Sequence, residues 1–164
     1  MNGMNKLWKA TAFLSRAMKM GGAACLVIMS ALTCVDVVGR FFKHPLFGSV
    51  ELVGFMGVLA VALSLPFTHE TNGHIGVEIL MRRFSSRTQK VMETITGLLG
   101  CVLFALVAWR MAVHALHLKQ SGEVSINLQL PEYIVVWLVA ACCVVLAVTI
   151  LKGVIDRFGP SENK

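Results

Sequence analysis

Four apolar stretches constrain this chain more than any motif does: about Met18–Val38, Ser49–Thr68, Val91–Val113 and Pro131–Leu151. Each is near the ~20 residues that cross a hydrocarbon core of about 30 Å as a helix. Lipid offers no partner to backbone N–H and C=O groups, so such segments must satisfy their hydrogen bonds internally, as helices. The composition agrees, with 56% hydrophobic and only 15% charged residues in a chain of 164. A soluble domain carries about 25% charged residues, and the residues between the stretches are too few to build one. The expected fold class is therefore an all-α integral membrane protein, with four transmembrane helices in a single membrane domain over residues 1–164 and short interfacial segments between the spans. The fourth stretch is the cleanest, with no charge from Tyr133 to Leu151.

Lys6, Lys9, Arg16 and Lys19 precede the first apolar run, as basic residues precede the core of a signal peptide. Ser30–Cys34 (SALTC) is a poor cleavage site, and the run is long enough to stay as an anchor, so it is read as a span. Orientation follows from basic residues, which favour the cytoplasmic side. Eleven lie at the N-terminus, in the second connection (Arg82, Arg83, Arg87, Lys90) and at the C-terminus, against four (Arg40, Lys43, Arg110, Lys119) towards the other face. Both termini are expected to face the cytoplasm, leaving two short outer loops. The net charge of +6 then suits an inner face against anionic lipid and calls for no nucleic acid.

Cys25, Cys34, Cys101, Cys142 and Cys143 all fall in spans, where a thiol behaves as a small apolar residue, and no CxxC is present. Ionisable residues inside a membrane are costly, which makes their scarcity informative. Spans two and four have none in their middles. Asp36 and Arg40 lie near the outer end of span one at i,i+4, where they can neutralise each other. Arg110, at similar depth on span three, is a second candidate partner that would fix how the two helices pack. A proton or substrate role for Asp36 is the alternative reading. Carriage by this chain alone would ask for polar groups or broken helices near the midplane, and the sequence offers neither.

The first outer connection reads "GRFFKHPLFGSVEL". Phe41, Phe42 and Phe47 suit the headgroup level, Arg40 and Lys43 can snorkel to water, and Pro45 ends the helix. Ser49 is expected to cap the second span and Glu51 to complement the dipole in its first turn. Five histidines raise a haem alternative. His69 and His74 fall at the cytoplasmic end, however, and His44, His114 and His117 at the outer end, so one iron would have to join His44 to His114 or His117.

Residues 67–80, "FTHETNGHIGVEIL", crowd His69, Glu70, His74 and Glu78 together as a ligand set would. His69 and His74 are five apart, off the i,i+4 spacing that aligns two ligands on a helix, and Thr71-Asn72-Gly73 reads as a turn between them. The stretch is expected to be a membrane-exit turn, and no metal or catalytic residue is assigned.

Taken in order, these features resemble a known family. Asp36-x-x-x-Arg40-Phe41-Phe42 runs to Pro45, Glu51 opens span two, "GHIGVEIL" follows at Gly73–Leu80, and Gly122-Glu123 leads to Pro131 before the last span. The chain is similar over nearly its whole length to the small membrane subunit of the tripartite ATP-independent periplasmic (TRAP) transporters, the DctQ-like small permease. That family often has a tryptophan shortly before the acid of span two, where Phe47-Gly48 stands here. The resemblance implies a multi-pass bacterial inner-membrane protein that scaffolds a large permease subunit. That subunit would use the sodium gradient to take up an organic acid delivered by a periplasmic binding protein, and no cofactor would sit in this chain. Contact with the binding protein itself would have to come from the outer loops. Gly54, Gly57, Gly97 and Gly100 are small positions where a helix of the large subunit could approach. Beside this reading stand two others: a haem- or quinone-associated four-helix subunit, and a small proton-coupled exporter using Asp36.

Overall fold

A computed structural model describes residues 2–70 and 86–158. Four helices account for most of them: α1 (Asn2–Phe41), α2 (Ser49–Glu70), α3 (Ser86–Ser121) and α4 (Glu132–Phe158). Each contains a stretch long and apolar enough to cross a membrane: Phe13–Phe41, Ser49–His69, Val91–Ser121 and Glu132–Ile155. These match the four expected spans, with the first and third extended. At 29 and 31 residues they exceed the thickness of the hydrocarbon core, so they tilt or protrude. Hydroxyls within the spans bond back to their own helices, as at Thr33 to the Met29 carbonyl (2.8 Å) and Thr149 to the Val145 carbonyl (2.8 Å). Such bonds leave no polar group of these side chains for lipid to satisfy.

The helix ends follow local chemistry. α1 closes in a Schellman arrangement: Lys43 takes the left-handed conformation (φ 61°), its N–H donates to the Arg40 carbonyl at 3.1 Å, and the His44 N–H donates to the Gly39 carbonyl at 2.8 Å. The turn brings the His44 carbonyl so close to Gly39 that a Cβ there would overlap it. At the end of α3, Gly122 (φ 66°) lets the Glu123 N–H reach the Leu118 carbonyl at 3.3 Å. Pro131 precedes α4, where a missing N–H leaves no bond unmade.

Spatial order differs from chain order. α1 packs along α2, α2 along α4 and α4 along α3, while α1 meets α4 marginally and α3 has no substantial contact with α1 or α2. The result is an open row, α1–α2–α4–α3, made of two antiparallel hairpins joined at the α2–α4 seam. Small residues fill the contacts: Ala60 and Ala62 on α2, Ala108 and Ala115 on α3, and Ala140, Cys142, Cys143 and Ala147 on α4 are buried. In the most apolar part of α4, 39% of residues are buried, against 6% in α3. The charge-free span is thus an inner helix of the row, and α3 is a flank.

Within the first hairpin, a Cβ at Gly22 would lie 3.1 Å from the Ala60 carbonyl oxygen, and one at Gly57 would lie 3.7 Å from Met29 Sδ. Lys19 Nζ stands 3.9 Å above the Phe67 ring, a cation–π contact that joins α1 and α2 towards the termini. Within the second hairpin, a Cβ at Gly97 would come within 2.5 Å of Val154 Cγ2, and one at Gly100 within 3.8 Å of Ile150 Cδ1. Cys101 Sγ reaches the Ala147 carbonyl at 3.6 Å across the same contact. At Gly57, Gly97 and Gly100 helices of this chain already come close. Gly54 differs, because a Cβ there would meet nothing within 4 Å.

These environments separate two substitutions in the chain alone. Gly97→Leu drives a side chain into Val154 and is expected to destabilise the α3–α4 hairpin by about 1–3 kcal/mol, the usual range for overpacking. Gly54→Leu faces open space and is expected to leave stability unchanged or slightly raised. Thermal unfolding in mild detergent, followed by loss of helical signal, distinguishes them.

Candidate functional site

Two carboxylates, Asp36 and Glu51, organise the end of the row opposite the termini. There the α1–α2 turn (residues 42–48) meets the α3–α4 connection (residues 122–131). Each segment is organised by one carboxylate.

Asp36, on the last turns of α1, is 8% exposed. Its Oδ2 accepts from Arg40 Nε at 2.8 Å, and its Oδ1 accepts from the Leu46 N–H at 3.0 Å. The first bond is the i,i+4 pair expected from the sequence. The second reaches beyond Pro45 and folds the turn back onto the helix that supplies the acid. Arg110 takes no part: it is exposed on α3, which does not pack against α1. The expected bridge between these two helices is thus replaced by a bond within the turn, because the row places α2 and α4 between them. The Ser49 hydroxyl, 4% exposed, lies beside the Asp36 carboxylate without a hydrogen bond of good geometry. It does not cap α2. The first bond of α2 runs from the Leu52 N–H to the Gly48 carbonyl, at 3.1 Å, and Gly48 itself has φ 75°. Glycine is required there twice over, since that conformation disfavours a side chain and a Cβ would overlap Leu128 of the other connection.

Glu51, in the first turn of α2, accepts four hydrogen bonds from the α3–α4 connection. Oε1 takes the Asn127 N–H at 2.8 Å and Asn127 Nδ2 at 2.9 Å; Oε2 takes Ser125 Oγ at 2.8 Å and the Leu128 N–H at 3.1 Å. Four donors fill the lone pairs of one carboxylate. The connection is closed on itself as well, through a bridge between Val124 and Pro131 and the Ser125 N–H bond to the Leu130 carbonyl at 2.9 Å. An acid in the first turn of a helix complements the dipole, and Glu51 does stand in the first turn of α2. It also clamps one hairpin to the other. No pattern within its own helix points to the donors, which lie more than seventy residues away in a segment whose conformation the clamp itself helps to set.

The other candidate residues fall into place around this clamp. Pro45 lies in the turn held by Asp36; Glu123 is exposed at the exit of α3; Pro131 closes the bridge that completes the second connection. Gly54 faces an open groove of about 410 Å³ lined by Glu51, Phe55, Val58, Ser125, Ile126 and Glu132. His74 and Glu78 lie outside the described residues, as does the turn expected at Thr71-Asn72-Gly73. Of the haem candidates, His44 lies in the turn of the first hairpin, and His114 and His117 are exposed on the far flank. Around the clamp, apolar groups face outward: Phe41 and Phe42 meet edge to face at 5.4 Å and are largely exposed, as are Phe47 and Ile126.

A clamp and a dipole complement respond differently to substitution. Glu51→Gln keeps one acceptor oxygen but turns an NH₂ group towards donors. Its expected effect is faster hydrogen exchange at the Asn127 and Leu128 amides, by about tenfold or more, with the interior of α2 unchanged. A residue that merely complements the dipole would leave both amides as they are, and residue-resolved exchange in detergent reads the difference.

Comparison with known proteins bears on what this arrangement belongs to. No curated protein and no solved structure matches the chain. A family profile does: that described as Tripartite ATP-independent periplasmic transporters, DctQ component, matches residues 29–159. The matched region takes in the last third of α1, the α1–α2 turn, the Glu51 clamp and the whole of α2, α3 and α4. Since it covers well over half of the sequence, the chain belongs to the DctQ component family of the tripartite ATP-independent periplasmic transporters.

Proposed function

We propose that this small transporter subunit works as a membrane scaffold. It holds a large permease subunit for sodium-coupled uptake of an organic acid delivered by a periplasmic binding protein. The termini face the cytoplasm, so the clamped connections face the periplasm and the binding protein. The host membrane is the bacterial inner membrane, and this chain needs no cofactor of its own.

The observation that carries this reading is the open row. A carrier needs an enclosed route lined by polar groups, whereas this chain leaves both flanks and both broad faces of its spans largely uncovered. The carboxylates of Asp36 and Glu51 sit at one end of the row and are occupied by donors of the same chain. Such a surface is suited to lateral packing against lipid and another membrane protein. The family supplies the kind of partner, since its transporters are tripartite.

Liposomes test the division of labour. The chain reconstituted alone is expected to give no solute uptake under a sodium gradient. Addition of the large permease and the binding protein is expected to restore uptake. In that complete system Asp36→Asn is expected to lower the amount of assembled complex and leave uptake per complex unchanged. Sodium- or proton-driven transport by this chain alone, abolished by Asp36→Asn, would instead make Asp36 part of a carrier.

A further inference from the structure

The groove beside Gly54 has features that the scaffold reading does not by itself use. Its floor is the backbone of α2 at Gly54, open to approach. Its walls are Phe55, Val58 and Ile126. Ile126 is 93% exposed, and it is held that way: Ser125, Asn127 and Leu128 on either side are all bonded to Glu51, which leaves this one apolar side chain facing outward between them. Glu51 itself borders the groove with its oxygens already filled. Glu132, at the first turn of α4, borders it too and makes no hydrogen bond or ion pair among the described residues. The same face of α2 continues as Val50, Gly54, Val58 and Val61, all exposed and free of long side chains. The result is a smooth helical surface with one unpaired negative charge at its end, where the α4 span begins.

We propose that this groove receives a transmembrane helix of the large permease subunit, packed at Gly54 and bearing a lysine or arginine that meets Glu132 at headgroup depth. The proposal rests on the scaffold reading and names the face on which it operates. Small residues allow two helix backbones to approach closely, and a rigid apolar side chain at the rim gives the incoming helix a fixed shoulder. The charge selects the partner: an acyl chain would fill the apolar part but leave Glu132 unanswered, whereas a helix with a cation at the right depth meets both.

A photo-crosslinking residue placed at position 54 or 126 in the full chain, coexpressed with the large permease and irradiated in native membranes, tests the location. The expected product at both positions is an adduct at the combined mass of the two subunits. Adducts to lipid alone or to a second copy of this chain, with the large permease still copurifying, would overturn the groove and leave the scaffold reading standing. Failure of the unmodified chain to copurify with the large permease would overturn both. Charge is tested separately: Glu132→Gln is expected to lower recovery of the large subunit about two- to fivefold, the range of one partly exposed ion pair, and Glu132→Lys to lower it further. Thermal unfolding of the isolated variants should match the parent chain, because Glu132 has no partner among the described residues. Unchanged recovery in both variants would remove the ion pair from the proposal and overturn it as stated.

Discussion

The α2–α4 seam makes one body of two helical hairpins, and at the end opposite the termini a single carboxylate fastens it. Within each hairpin, small residues let the backbones approach closely enough for extensive contact, as at Gly22 against Ala60 and Gly97 beside Val154. Between hairpins the contact is narrower, because only α2 and α4 meet in force. Glu51 compensates by gathering four donors from the opposite connection. Those bonds sit where a span emerges from lipid, in surroundings of lower dielectric than bulk water, and there a fully satisfied carboxylate is stronger than the same group in solution. The arrangement of the Gly54 groove and the outward direction of Ile126 both depend on it.

An open row has consequences that a closed bundle lacks. A bundle buries its helices against one another and offers lipid a continuous outer surface. A row presents two broad faces and two flanks, so most of what it exposes is available to lipid or to another protein. Apolar faces of this kind do not associate by exclusion of water, since lipid tails are as apolar as they are; shape, small residues and a few polar contacts must select the partner. That is why Glu132, without a partner among the described residues, and the open backbone at Gly54 weigh more in this chain than the many exposed leucines and valines around them.

Much of this was legible in the sequence, for reasons that can be named. The spans were readable because the hydrocarbon thickness fixes their length and the lipid forbids unpaired backbone groups. The Asp36–Arg40 pair was readable because i,i+4 spacing places both on one helical face. The family was readable from an ordered set of short signatures. The row was not, because the periodicity of a span that is apolar all round does not say which face meets which helix. Gly57, Gly97 and Gly100 were legible as places of close approach, yet the sequence could not name the helices of this chain that come near them. Ser49 and Glu51 are the most instructive. Both fit the grammar of a helix start, but the Ser49 hydroxyl makes no capping bond, and Glu51 turns to groups more than seventy residues away in the sequence. Local rules describe what a residue can satisfy nearby; they do not reveal a better partner brought in by the fold.

The central claim, that the uncovered faces of this row are completed by a larger membrane protein, is most directly tested by native mass spectrometry. The chain would be extracted in mild detergent from membranes in which it is produced together with the large permease of its own transporter. The account predicts one dominant species, containing one copy of this chain and one of the large permease, that persists when bound lipid is stripped by collisional activation. A chain that appears alone or only with further copies of itself, with lipid as its sole other companion, would contradict it.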